Sequence, residues 1–145
     1  VLELPDVSTL FRDLESNVLR RDRISRRLRQ LYQRASREED YVTIVEHVKS
    51  LRISRKALLR VLRKLREVEL YGEYVDLVET IVGYVHAVGI HIEKEVLIEV
   101  TEVLERSGSA KEYVDEIRRV DMVEIDELMR ELESTLEAIK ARATS

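Results

Sequence analysis

Apolar residues recur at three- and four-residue spacing along almost the whole chain, which is the pattern of amphipathic helices. Val7, Leu10, Phe11, Leu14 and Val18 form a first stripe that Ile24, Leu28, Leu31, Tyr32 and Ala35 continue. The pattern predicts one long helix from about Ser8 to Ala35, or two with a break near Asn17. Ser36-Arg37-Glu38-Glu39 has the form of a capping box opening a second helix, with Tyr41, Ile44, Val45, Val48 and Leu51 on its apolar face. Ser54 is an N-cap candidate for a third helix, with Ile53 and Leu58 spaced as a hydrophobic staple. Val61, Leu62, Leu65 and Val68 would carry that helix to near Gly72.

From Glu73 to Val88 the pattern is apolar nearly all round, which predicts the buried centre of a bundle or an assembly contact. Gly89 is placed to cap this fourth helix at its C-terminus. A fifth is expected from about His91 to Arg106, and Ser109-Ala110-Lys111-Glu112 forms another capping box for a short sixth. Asp121 then introduces a last helix through Ile125, Leu128, Leu132, Leu136 and Ile139. The expected fold class is all-α: a basic N-terminal helical arm, helix-turn-helix-like, over residues 1–71, followed by an acidic helical bundle over 72–145.

Composition sharpens this picture. Four glycines and one proline leave few helix breakers, and 44% hydrophobic residues are enough for a core. The absence of cysteine excludes disulfides and thiolate metal sites. The first residues are acidic and amphipathic, unlike a secretory leader. The most apolar run, Ile81 to Ile92, holds two histidines and is too short for a bilayer, so no membrane span is expected. One Asn, two Gln, two Met and 37% charged residues give a hyperthermophile-like profile.

The net charge of −4 hides an asymmetry. Residues 1–66 hold 17 Lys+Arg against 9 Asp+Glu, whereas residues 67–145 hold 8 against 20. Such a split suggests a part that faces a polyanion and a part that is merely solvated. Eight arginines and a single acid, Asp22, lie between Asn17 and Arg37. On a wheel of about 100° per residue, Arg20, Arg23, Arg26, Arg27, Arg29, Arg34 and Arg37 oppose the apolar stripe, and Arg21 lies in the same run. A solvated helix would interleave glutamates at four-residue spacing to relieve the repulsion. The stretch from Lys49 through Arg52, Arg55, Lys56, Arg60, Arg63 and Lys64, with Arg66 beyond, repeats the design.

Arginine forks match phosphate oxygens in pairs, so these fifteen side chains (Arg20 to Arg37, and Lys49 to Lys64) are the candidate nucleic-acid contacts. Single-strand binding normally uses aromatic stacking platforms. The aromatics of residues 1–66, Phe11, Tyr32 and Tyr41, all lie on apolar faces, which favours contact to duplex phosphates. Alternatively, the basic groups pair with the acidic half, within one chain or between subunits.

Two resemblances add to this. The segment from His47 to Leu70, above all Leu51-Arg52-Ile53-Ser54-Arg55-Lys56-Ala57-Leu58, resembles the helix-turn-helix of winged-helix regulators. That implies that Arg55, Lys56 and Arg60 read the major groove. The layout of basic helices followed by an acidic bundle resembles the major capsid proteins of filamentous and rod-shaped archaeal viruses. That family wraps double-stranded DNA with N-terminal helices and builds a helical filament, which would place this chain in a virion; a regulator would be cytoplasmic.

No enzyme is expected. The four glycines are scattered, not gathered into a phosphate loop. His86 and His91 are five residues apart, off the i, i+4 spacing at which a helix pairs metal ligands, so neither a metal nor another cofactor is called for. The expectation is a structural duplex-DNA-binding subunit that acts as an oligomer. The alternatives are a helix-turn-helix regulator and a helical protein-interaction module without nucleic acid.

Overall fold

The computed structural model describes residues 6–108 and 110–143, and all regular structure among them is helical. Helix α1 spans Val7–Arg34, with the Asp6 carboxylate accepting from the Ser8 amide (3.2 Å) as its N-cap. It does not break at Asn17. That side chain is buried and donates from Nδ2 to the Ser54 carbonyl (2.9 Å), so an apparent breaker is an internal contact.

Helix α2 spans Glu38–Glu67 without interruption. Its cap acceptor is Asp40, which takes the amides of Ser36 (3.0 Å) and Arg37 (2.9 Å), one residue beyond the glutamate expected for that role. The third helix expected from Ser54 does not exist as a separate element. Ser54 is buried mid-helix and its hydroxyl donates to the Leu51 carbonyl (2.8 Å). Ile53 is 68% exposed while Leu58 is fully buried, so the two form no staple. An N-cap contributes only about 1 kcal/mol. Here Leu51, Leu58, Leu59, Leu62 and Leu65 are all buried on one side, and extending that stripe without a break stabilises more than a cap would.

Helix α3 spans Glu73–Ser107, merging the expected fourth and fifth helices. Gly89 does not end it: its φ of −57° is helical. Instead a wide π turn occupies Val85–Gly89. The buried register Val78, Val82, Val85 is followed by Ile90, a five-residue step that the wider turn absorbs while the helix continues. Gly108, at φ +70°, ends the helix in a left-handed conformation that a side chain would strain. Helix α4 covers 111–143, again with a π turn, Ile117–Asp121, where a break was expected. Asp121 closes that turn fully buried. Ser109, the proposed cap of the sixth helix, lies outside the described residues.

The helices form a ring in which α1 packs on α2, α2 on α4, α4 on α3 and α3 on α1. Cross-helix contacts fix the directions. Phe11 meets Tyr74 and Asp22 meets Tyr84, so α1 and α3 run parallel. Arg52 meets Asp121 and Arg63 meets Glu127, so α2 and α4 also run parallel. One hydrophobic core extends from Val7 to Ile139, so residues 1–71 and 72–145 both build it, and the basic half is two helices of this bundle. Helix α3 is long and apolar enough to cross a membrane by length and composition, with 22% of its apolar window buried inside the bundle. The run Ile81 to Ile92, too short by itself, thus belongs to a 35-residue helix.

Candidate nucleic-acid interface

The structure divides the expected basic face into an inner and an outer set. Arg55 is wholly buried. Its Nε donates to Glu93 Oε1 (2.9 Å), and its Nη1 to Asp121 Oδ1 (2.8 Å) and Glu124 Oε1 (2.6 Å). Arg52 holds Asp121 with two parallel N–H bonds (3.1 and 2.7 Å) and also reaches Glu116 (2.8 Å). The hydrogen bond to Asp121, the largest influence, holds the Arg52 guanidinium charged above its ordinary range, against the cost of its burial. Arg21, on α1, is buried against the other oxygen of Glu93. Burial above all, and then the Arg55 charge, push Arg21 down to about 9, opposed by Asp22. Two buried guanidiniums therefore share one buried carboxylate.

This charged layer crosses all four helices, from Asn17, Arg21 and Ser25 on α1 through Ser54 and Arg55 on α2 to Glu93 on α3 and Asp121 on α4. Arg21, Arg52 and Arg55 were expected at a nucleic-acid surface. Arg21 and Arg55 are internal instead and Arg52 is partly buried, each paired with a carboxylate in the acidic half that makes its burial tolerable. The same holds in weaker form further along α2. Arg63 pairs with Glu127 (2.9 Å) and Glu131 (3.6 Å), Arg66 pairs with Glu131, and Lys56 stands 3.9 Å from Glu124. Lys49 places its ammonium 5.3 Å from the centre of the Tyr113 ring. Of the basic residues on α2, Lys49, Arg60 and Lys64 are exposed and have no carboxylate within 4 Å among the described residues.

The outer face of α1 is different. Arg20, Arg23, Arg26, Arg27, Arg29 and Arg34 are all exposed, and none has a carboxylate within 4 Å among the described residues. Arg26 donates only to the Asp22 carbonyl and Arg27 only to Gln30, each at 3.4 Å. Arg37, in the turn, lies 3.5 Å from Glu39, with both side chains in solvent. Six like charges on successive turns of one helix repel one another, and no carboxylate among the described residues lies within 4 Å of them. Tyr32 and Tyr41 are half-buried against the core and offer no stacking platform.

Sequence reasoning missed the acidic members of the buried layer. Glu93 falls on the apolar register of α3, between Ile90 and Leu97, and this is the signal that could have marked it. Asp121 has the form of a cap and gave no such signal. His86 does find an acidic neighbour, Glu133 on α4 at 3.4 Å, which spacing within one helix could not reveal. No group of His, Cys, Asp and Glu among the described residues is arranged to hold a metal. The chain matches no known protein family, and no similar curated protein or solved structure was found.

Proposed function

We propose that this chain binds double-stranded DNA through the outer face of α1, reading phosphate backbone and not base sequence. One observation carries this: six exposed arginines on α1 have no carboxylate within 4 Å among the described residues, whereas the arginines of α2 that face α4 do. Pairing within the chain accounts for Arg52, Arg55, Lys56, Arg63 and Arg66 of the second basic stripe and leaves the outer face of α1 unexplained. A polyphosphate provides what α1 lacks, at a spacing its arginine forks can follow. Tyr32 and Tyr41, on the two basic helices, are half-buried against the core, which favours duplex over single strand.

In its finer form the proposal is a structural subunit that coats DNA, in keeping with the layout resemblance to filamentous archaeal virus capsid proteins. Exposed Leu77, Tyr84, Val88 and Ile98 along α3 support assembly with further subunits. A helix-turn-helix regulator has less support, since α2 is continuous from Glu38 to Glu67 and lacks the turn that such a motif requires.

The test is an affinity comparison on a short duplex. Arg23→Glu/Arg27→Glu/Arg34→Glu is expected to weaken binding severely with the helical fold intact. Glu127→Gln/Glu131→Gln, which frees basic groups of α2, is expected to leave it nearly unchanged. Equal affinity of the α1 variant and the unmodified chain would sink the proposal.

A further inference from the structure

Between α1 and the residues of α3 that flank the wide turn Val85–Gly89 lies a cleft of about 350 Å³. Asp22, Ser25, Arg26, Arg29, Tyr84 and Ile92 line it. At its inner end lies a space of about 10 Å³, room for one water-sized group, whose walls include Arg21, Asp22, Ser25 and Glu93. Asp22 and Ser25 belong to both, so the outer cleft leads toward the buried charge layer.

Three features of this cleft suit an anion. Arg26 and Arg29 stand three residues apart at its mouth without carboxylate partners among the described residues. Arg21, which lines the inner space, has a side chain 6% exposed, and its Nε has no hydrogen-bond partner among the described residues. A buried donor left unpaired is costly unless something accepts from it. Asp22, the one carboxylate lining the outer cleft, is engaged by the Tyr84 hydroxyl (2.8 Å). Glu93, deeper in, is already shared by Arg21 and Arg55. Three guanidiniums thus outnumber two occupied carboxylates. Wide turns of this kind are also frequent at functional sites.

The geometry points to a phosphate site in this cleft, with the phosphate seated between Arg26 and Arg29 and its inner oxygens directed toward Ser25 and Arg21 Nε. The phosphate comes from the duplex backbone, in which case the site rests on the proposal above, or from a small phosphorylated molecule, in which case it does not.

The experiment is calorimetric titration of inorganic pyrophosphate into the full chain. Arg26→Ala/Arg29→Ala is expected to weaken binding about tenfold or more. Arg20→Ala/Arg34→Ala, on the outer side of the same helix, should not. Melting temperatures of both variants near that of the unmodified chain exclude unfolding as the cause. Loss of pyrophosphate with duplex affinity kept identifies a small molecule as the source. Loss of both, with pyrophosphate displacing duplex, identifies the backbone. Arg23→Glu/Arg27→Glu/Arg34→Glu, which tests the duplex proposal, should retain pyrophosphate, so the two can fail separately. No pyrophosphate binding, or equal weakening in the Arg20/Arg34 variant, overturns the site.

Discussion

Arg55 donates to Asp121 across 2.8 Å, and neither side chain reaches solvent. The two residues are 66 positions apart, and they tie α2 to α4 at the level where Glu93 also meets Arg55. A layer of charge inside a helical bundle is poor evidence for stability, because desolvation offsets most of the attraction. Its consequence is asymmetric: removing one partner costs far more than the pair contributes.

Glu93→Gln therefore leaves Arg21 and Arg55 buried with too little counter-charge. The expected loss is about 3–5 kcal/mol in urea unfolding. The triple variant Arg21→Met/Arg55→Met/Glu93→Leu removes the charges together, while Asp121 keeps its two bonds from Arg52. It is expected to recover most of that loss. A loss below about 1 kcal/mol in Glu93→Gln would mean that the layer is not dry.

Asp40 gives the start of α2 a pH dependence. Hydrogen bonds from the Ser36 and then the Arg37 amide hold its carboxyl below the ordinary 3.8. Its folded value is depressed, so its contribution is complete above the unfolded value and disappears as pH falls through the folded one. Stability measured from about pH 5 down to about pH 2 should decline less steeply in Asp40→Asn. Identical pH profiles would contradict the cap assignment.

Tyr84 titrates in the opposite sense. Its hydrogen bond to Asp22, then burial, raise the phenol above its ordinary 10. A raised folded value means that the contact stabilises fully below pH 10 and is lost as pH climbs through the folded value. Tyrosinate absorbance should show one late-titrating tyrosine that Asp22→Asn returns toward the ordinary value. A late component that persists in that variant would place its cause elsewhere.

The all-helical character and the exposure of the outer arginines were legible in the sequence because both are written locally. The apolar stripes set the helices, and the wheel placed Arg20, Arg23, Arg26, Arg27, Arg29 and Arg34 in solvent, where they are. Helix ends were misplaced wherever a local signal competed with a continuing apolar stripe. Ser54, Gly89 and Asp121 each have the chemistry of a terminus, and each lies inside a helix or wide turn, because burial on both sides outweighs a cap. The inner arginines were not legible. Arg21 finds Glu93 at a separation of 72 residues and Arg52 finds Asp121 at 69, and no spacing rule reaches that far. A basic stripe alone does not tell whether its counter-charge is in the same chain.

The central claim is that phosphates supply the missing partners of the outer face of α1. The most direct test is duplex affinity measured against salt concentration on several unrelated sequences. The account predicts binding of similar strength to all of them, with affinity falling steeply as salt rises, by a slope of about −0.9 per phosphate contact. In Arg23→Glu/Arg27→Glu/Arg34→Glu the slope should become shallower by at least about 2.7, the share of three contacts. An affinity that is insensitive to salt, or a slope unchanged by those reversals, would contradict it.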